Sequence, residues 1–201
     1  SPTRKDMYSI GTQDNGELYA TSSGWFTNRG GDWQSTSSFD FRPNSSMVYY
    51  YKPDWGTVPV PKRRVVTGSD ATYGYPGTTM SAIAFYRANP DLAFGATSDI
   101  YRTTNLTAAT PTWTQISSFN KTIMAVHVHY GDPNRVYVIT SDQLIYVTTN
   151  ALAATPTWTS YALPNTTNNA ANITSIKSQL NTIYITANTK AYKSIDNGAT
   201  W

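Results

Sequence analysis

Apolar and polar residues alternate over short stretches along the chain. Ser81-Ala-Ile-Ala-Phe-Tyr is one such stretch, and Asp91-Leu-Ala-Phe-Gly-Ala-Thr follows it after an Asn-Pro turn. Ile100-Tyr-Arg-Thr-Thr and Thr112-Trp-Thr-Gln-Ile-Ser continue the series. A period of two sends successive side chains to opposite faces of an extended backbone, so each stretch predicts a strand. Helical periodicity is absent. The pattern predicts an all-β chain of short strands joined by Gly, Pro, Asn and Asp turns.

The stretches recur. Tyr101-Arg-Thr-Thr-Asn-Leu-Thr-Ala-Ala-Thr-Pro-Thr-Trp113-Thr returns 45 residues later as Tyr146-Val-Thr-Thr-Asn-Ala-Leu-Ala-Ala-Thr-Pro-Thr-Trp158-Thr. Upstream, Ala96-Thr97-Ser98-Asp99 matches Ile139-Thr140-Ser141-Asp142. A third copy is Tyr192-Lys-Ser-Ile-Asp-Asn-Gly-Ala-Thr-Trp201, and a looser one joins Tyr19-Ala-Thr21 to Asn28-Arg-Gly-Gly-Asp-Trp33. Four short strands repeated about every 45 residues is the signature of β-propeller blades. The expected fold is all-β: a β-propeller of four-stranded antiparallel blades, about 45 residues each. Blade-like units fall near 7–37, 38–76, 78–118, 121–162 and 171–201.

Ser194-Ile-Asp196-Asn-Gly198-Ala-Thr200-Trp201 fits the pattern S-x-D-x-G-x-T-W in full. On these residues the chain resembles the Asp-box, or BNR-repeat, propellers: sialidases, xyloglucanase-type glycoside hydrolases and the sortilin-type propeller. Gly11-Thr-Gln-Asp-Asn-Gly16 is similar to a segment common in secreted bacterial members. The copies depart from the pattern. Asn105 and Asn150 stand where Asp is expected, with a three-residue insertion in place of the Gly turn, before Trp113 and Trp158. At 26–33 the Asp position is Asn28 and the Trp is Trp33. The resemblance implies a structural box between the third and fourth strands of a blade. Its Asp or Asn accepts backbone N–H groups, its Gly allows a left-handed residue, and its Trp packs on the blade.

The first unit opens on a second-strand pattern at Met7, and the last stops at Trp201, where a fourth strand belongs. A sheet arc must close to hide its edges. The segment is therefore expected to be an incomplete arc of a larger propeller in a longer parent chain.

Composition narrows the chemistry. The chain has 201 residues, 13% of them charged, about half the usual share. In their place stand 31 Thr and 15 Tyr, which favour strands. There is no Cys, which excludes disulfides, thiolate metal sites and thiol nucleophiles. A net charge of +3 is too small to argue for nucleic acid. No apolar run approaches the ~18 residues of a membrane-spanning helix. No cofactor is called for. A Thr/Asn/Tyr-rich, Cys-free surface suits an extracellular or cell-surface bacterial protein.

Candidate chemistry sits on the turns between second and third strands, which in propellers share one face with the links between blades. Asp14, Asp99 and Asp142 occupy those turns, and Asp54 the equivalent place in the degenerate unit. Carboxylates there serve an acid/base pair, or bind a cation or sugar hydroxyls. Turn preference alone also accounts for them. Tyr49-Tyr50-Tyr51 with Trp55 offers a stacking platform or core packing. Lys62-Arg63-Arg64 reads as a solvated loop or strand edge. His127 and His129, at i and i+2, point to one face, as two metal ligands or as satisfied or channel-lining residues, and no metal site is called for. Glu17 is the only Glu, and the eight Arg show no spacing of a sialidase triad. Two functions remain: a non-catalytic module recognising glycan or protein through Asp14, Asp54, Asp99, Asp142, Tyr51 and Trp55, and a fragment of a glycoside hydrolase using paired carboxylates.

Overall fold

The alternating stretches form strands, and the repeat forms sheets. A computed structural model describes the backbone of residues 8–12, 16–21, 24–29, 38–41, 47–51, 62–65, 70–72, 82–89, 91–164, 173–179, 181–187 and 190–201. It describes the side chains of 82–89, 91–164, 176–179, 181–186 and 190–201. Among the described residues every regular element is a strand, and every pairing is antiparallel.

The chain divides into two compact units, Ser1–Met80 with Ala109–Pro111, and Ser81–Ala108 with Thr112–Trp201. The first holds a three-stranded sheet, β1 (Tyr8–Thr12), β2 (Gly16–Thr21) and β3 (Gly24–Arg29). It also holds a four-stranded sheet, β4 (Ser38–Phe41), β5 (Met47–Tyr51), β6 (Lys62–Val65) and β7 (Asp70–Thr72). The basic run Lys62-Arg63-Arg64 is neither loop nor edge. It lies in β6, paired on one side with Tyr49–Tyr51 and on the other with Asp70–Thr72.

The second unit holds three sheets. The first is β8 (Ala82–Phe85), β9 (Ala93–Ala96), β10 (Asp99–Thr103) and β11 (Thr114–Ser118). The second is β12 (Ile123–Val128), β13 (Val136–Thr140), β14 (Leu144–Thr148) and β15 (Thr159–Ala162). The third is β16 (Ile173–Gln179), β17 (Thr182–Ala187) and β18 (Lys190–Ser194). Strands pair in chain order, so each sheet is a meander, and β12 packs against both β8 and β16. Consecutive sheets therefore meet face to face through their first strands, as blades do.

Two apolar cores lie in the two seams. Phe94, Ile100, Val126, Val138 and their neighbours fill the seam between the first and second sheets. Tyr137, Ile139, Ile145, Ile176, Ile183 and Ile185 fill the next. Full burial of such side chains contributes about 1.5–3 kcal/mol each. Trp158 packs on the first core with its ring centroid 5.2 Å from that of Phe119, which in turn lies 4.4 Å from the Tyr146 ring. Trp201 packs on the second. Each Trp thus follows its own sheet's third strand and seals the seam with the sheet before it. Trp113 is half-buried.

The turn that carries each Trp is held by one side chain. Asp196 Oδ1 accepts the Ser194 hydroxyl at 2.8 Å and the Thr200 N–H at 2.9 Å. Asn105 accepts the Thr103 hydroxyl and the Thr112 N–H at 3.0 and 2.9 Å. Asn150 accepts the Thr148 hydroxyl and the Thr157 N–H at 2.8 and 2.9 Å. An amide oxygen does the work of a carboxylate oxygen here, because only acceptor capacity is used. The hydrogen bonds from Thr200 and Ser194 hold the Asp196 carboxyl down at about 2. Gly198 has φ +98°, and a Cβ there would lie 3.2 Å from Ile145 Cγ2 of the preceding sheet. The backbone conformation calls for glycine, and the seam leaves little room for a Cβ.

Trp158→Ala should lower stability by about 3 kcal/mol or more, measured by chemical denaturation. Asn150→Ala should cost about 1–2 kcal/mol, whereas Asn150→Asp should stay closer to the wild type. Equal losses in the two Asn150 variants would show that the turn does not depend on the shared acceptor.

Candidate functional site

Hydrogen bonds divide the second unit's turns between two opposite edges. Leu106 N–H and Thr107 N–H donate to Asp91, through its carbonyl and its Oδ1, both at 3.0 Å. Ala151 and Leu152 repeat this on Asn134, at 2.9 and 3.2 Å. These bonds join the turn after each first strand to the Trp-bearing turn. The other edge joins the turns after second strands to the links between sheets. Ile123 N–H donates to the Thr97 carbonyl at 2.7 Å, Phe119 N–H to Ser98 at 3.2 Å, and Ser141 N–H to Thr122 at 2.9 Å.

Asp99 and Asp142 belong to this second edge. Asp142 lies in the turn, where the Thr140 hydroxyl donates to its Oδ1 at 2.6 Å. Lys121 Nζ, from the link, stands 3.8 Å from its Oδ2. Asn120 and Gln143, beside these two residues, hold φ of 54° and 66°. Left-handed backbone is uncommon for non-glycine residues. Asp99 is not a turn residue: it opens β10, opposite Ser118, and is half-buried. Asp14, Asp54, Trp55 and Trp33 lie outside the described residues. Tyr51 ends β5 opposite Lys62, and Asn28 lies in β3, their side chains outside the description.

The two His do not form a ligand pair. The strand ends at Val128, so His129 falls in the following turn, where its Nδ1 accepts the Gly131 N–H at 3.1 Å. His127 crosses the seam instead. Its Nε2 accepts the Ser178 N–H at 3.0 Å, with the Ser178 hydroxyl oxygen at 2.9 Å. A backbone N–H can only donate, so Nε2 carries no proton. The ring stacks on Tyr137, whose hydroxyl donates to Asn197 Oδ1 at 3.3 Å. Burial first, then the charges of Lys177 and His129, hold the His127 pKa down to about 4. Among the described residues no three His, Cys, Asp or Glu gather as a metal site. Lys121 and Ser178 were not among the sequence candidates. Nothing local marks them, since their partners stand 21 and 51 residues away in the chain.

No protein-family model and no curated protein matches the chain. Solved structures do. An ancestral GH74 enzyme is similar at 18% identity and TM-score 0.59, over 83% of this chain and 24% of that one. The GH74 enzyme of Niastella koreensis is similar at 14% identity and TM-score 0.52, over 98% of this chain and 40% of that one. The β-propeller domain of Cps50 (Swd1) from Myceliophteria thermophila is similar at 10% identity and TM-score 0.53, over 80% of this chain and 50% of that one. The likeness shows the fold: this chain is part of a β-propeller. It spans half or less of each of these proteins.

The seam histidine makes stability depend on pH. The unfolded chain protonates His127 near pH 6.5 and the folded chain only near 4. Its contribution is therefore complete above pH 6.5 and is lost as pH falls toward 4, by at most about 1.4 kcal/mol per unit. Urea midpoints taken between these pH values should fall with acid, and His127→Gln should flatten the slope. An unchanged slope in that variant would remove His127 as its source.

Proposed function

We propose that the chain is a stretch of an Asp-box propeller acting as a recognition module for glycan or protein, within a longer secreted or cell-surface bacterial protein. The box assignment rests on the hydroxyl–Asp/Asn–Thr turn repeated in three successive sheets. In the second unit the recognition face is the edge bearing Asp99 and Asp142; in the first unit the candidate binding residues are Asp14, Asp54, Tyr51 and Trp55. Location outside the cell rests on the Cys-free, Thr- and Tyr-rich composition.

The observation that carries the non-catalytic reading is the state of Asp142. One oxygen accepts the Thr140 hydroxyl, and Lys121 Nζ stands 3.8 Å from the other. A general acid or base must exchange its proton with substrate, opposite a second carboxyl. An exposed carboxylate oriented by a single hydroxyl is suited instead to accept hydrogen bonds from sugar hydroxyls or peptide N–H groups. A second reading, a piece of a glycoside hydrolase, is favoured by the likeness to two GH74 enzymes. In that reading the carboxyl pair is completed elsewhere in the longer parent protein.

In the intact protein, changing Asp14, Asp54, Asp99 and Asp142 together to Asn should weaken glycan or partner binding at least tenfold, or about 1.4 kcal/mol. Changing Thr157 on the opposite edge should leave binding unaltered. The reverse pattern ends this reading. Hydrolysis of a soluble β-glucan by the intact protein, abolished by one of the four changes, would establish the hydrolase reading.

A further inference from the structure

The pairing registers align successive sheets of the second unit residue by residue. Thr103, Thr148 and Ser194 end β10, β14 and β18 ahead of the same turn. Counting back, the cross-strand row Ala84–Phe94–Arg102 of the first sheet corresponds to His127–Tyr137–Val147 of the second. Counting forward, Leu106, Ala151 and Asn197 share one place in the three turns. In the first seam Phe94 and Ala151 are both buried in the apolar core. In the second seam the corresponding pair is polar: the Tyr137 hydroxyl donates to Asn197 Oδ1 at 3.3 Å.

Asn197 also precedes a glycine. The chain has two Asn-Gly pairs, Asn15-Gly16 and Asn197-Gly198, and Asn15 lies outside the described residues. Glycine has no side chain to shield its nitrogen, so an asparagine amide before it is open to attack by that nitrogen. Here the nitrogen is occupied. Gly198 is buried, and its N–H donates to the Ser194 hydroxyl oxygen at 2.7 Å. Ser194 is itself buried. The backbone is left-handed at both residues, with φ of 60° at Asn197 and 98° at Gly198. The pair is thus held on one side by its own turn and on the other by the preceding sheet.

We propose that Asn197 is a latent site of spontaneous covalent modification, kept intact by the closed seam and converted when the seam opens. The Gly198 nitrogen gives its proton to a solvent base and attacks Asn197 Cγ. The N–Cγ bond forms, a proton is returned to Nδ2, and the Cγ–Nδ2 bond breaks with release of ammonia. Water then opens the resulting succinimide, and nothing is oxidised or reduced. Opening at the side-chain carbonyl leaves aspartate. Opening at the main-chain carbonyl leaves isoaspartate, whose main chain is one carbon longer. The fold opposes the first step twice: the Gly198 N–H is aimed at a buried oxygen, away from solvent base, and Tyr137 fixes the amide that must turn. The two products also differ. Aspartate keeps the oxygen acceptor for Tyr137. Isoaspartate inserts its carbon just before Gly198, where a Cβ would already lie 3.2 Å from Ile145 Cγ2. Isoaspartate formed during an opening therefore bars the seam from closing again. This device is independent of which ligand the protein recognises.

Incubation of the intact protein at mildly alkaline pH tests it, read by peptide mapping that separates asparagine, aspartate and isoaspartate at position 197. Conversion at Asn15 is read on its own peptide. In urea, with the seam open, Asn197 should convert at least about tenfold faster than in native buffer, because reaction follows opening. Equal rates overturn the proposal. After the urea is removed, the refolded, protease-resistant fraction should be depleted in isoaspartate at 197 relative to the protease-sensitive fraction, with aspartate present equally in both. Equal isoaspartate in the two fractions overturns the one-way closure. So does an equal depletion of aspartate, because the new charge and not the added carbon would then bar the seam.

Discussion

Burial of both faces of a sheet is the constraint on which the second unit depends. A four-stranded meander of this repeat has apolar side chains on each face, so one sheet alone leaves half of them in water. Val126 and Val138 of the second sheet bury against the first, while Tyr137 and Ile139, one residue away, bury against the third. The strand period of two thus assigns alternate residues to different seams. Each sheet is stable only between neighbours, which is the logic of a repeat array.

The seams share an architecture and differ in chemistry. Both are sealed by a Trp held on a turn by a single Asp or Asn acceptor. Both carry a polar tie in the equivalent row. In one seam the tie is a guanidinium on two carbonyls, and in the other a neutral imidazole on a serine N–H. The repeat therefore dictates the packing and leaves the polar partner free to vary. That freedom places a neutral imidazole in one seam and a guanidinium in the equivalent row of the other.

The two edges of the unit are divided in a similar way. One edge is stapled by Asp91 and Asn134 to the Trp-bearing turns, and its hydrogen bonds recur from sheet to sheet. The other joins turns to links through backbone bonds and exposes Asp142, Lys121 and the left-handed Asn120, beside the half-buried, left-handed Gln143.

The alternation and the repeat by themselves determined that the chain is all-β and built of antiparallel propeller sheets. Both signals are local: a strand's two faces are written in neighbouring residues, and a repeat is a comparison of the sequence with itself. The turn bonds of Asn105, Asn150 and Asp196 were equally legible, since donor and acceptor lie two to seven residues apart. Tertiary structure alone decided the rest. It tied His127 across a seam to Ser178, and it ended the strand before His129. It gave Asp142 a lysine partner and moved Asp99 from a turn into a strand. It also set Lys62-Arg63-Arg64 inside a sheet, opposite three tyrosines. Each outcome depends on which chain segment arrives alongside, and pattern within one segment carries no record of the neighbour that folding brings to it.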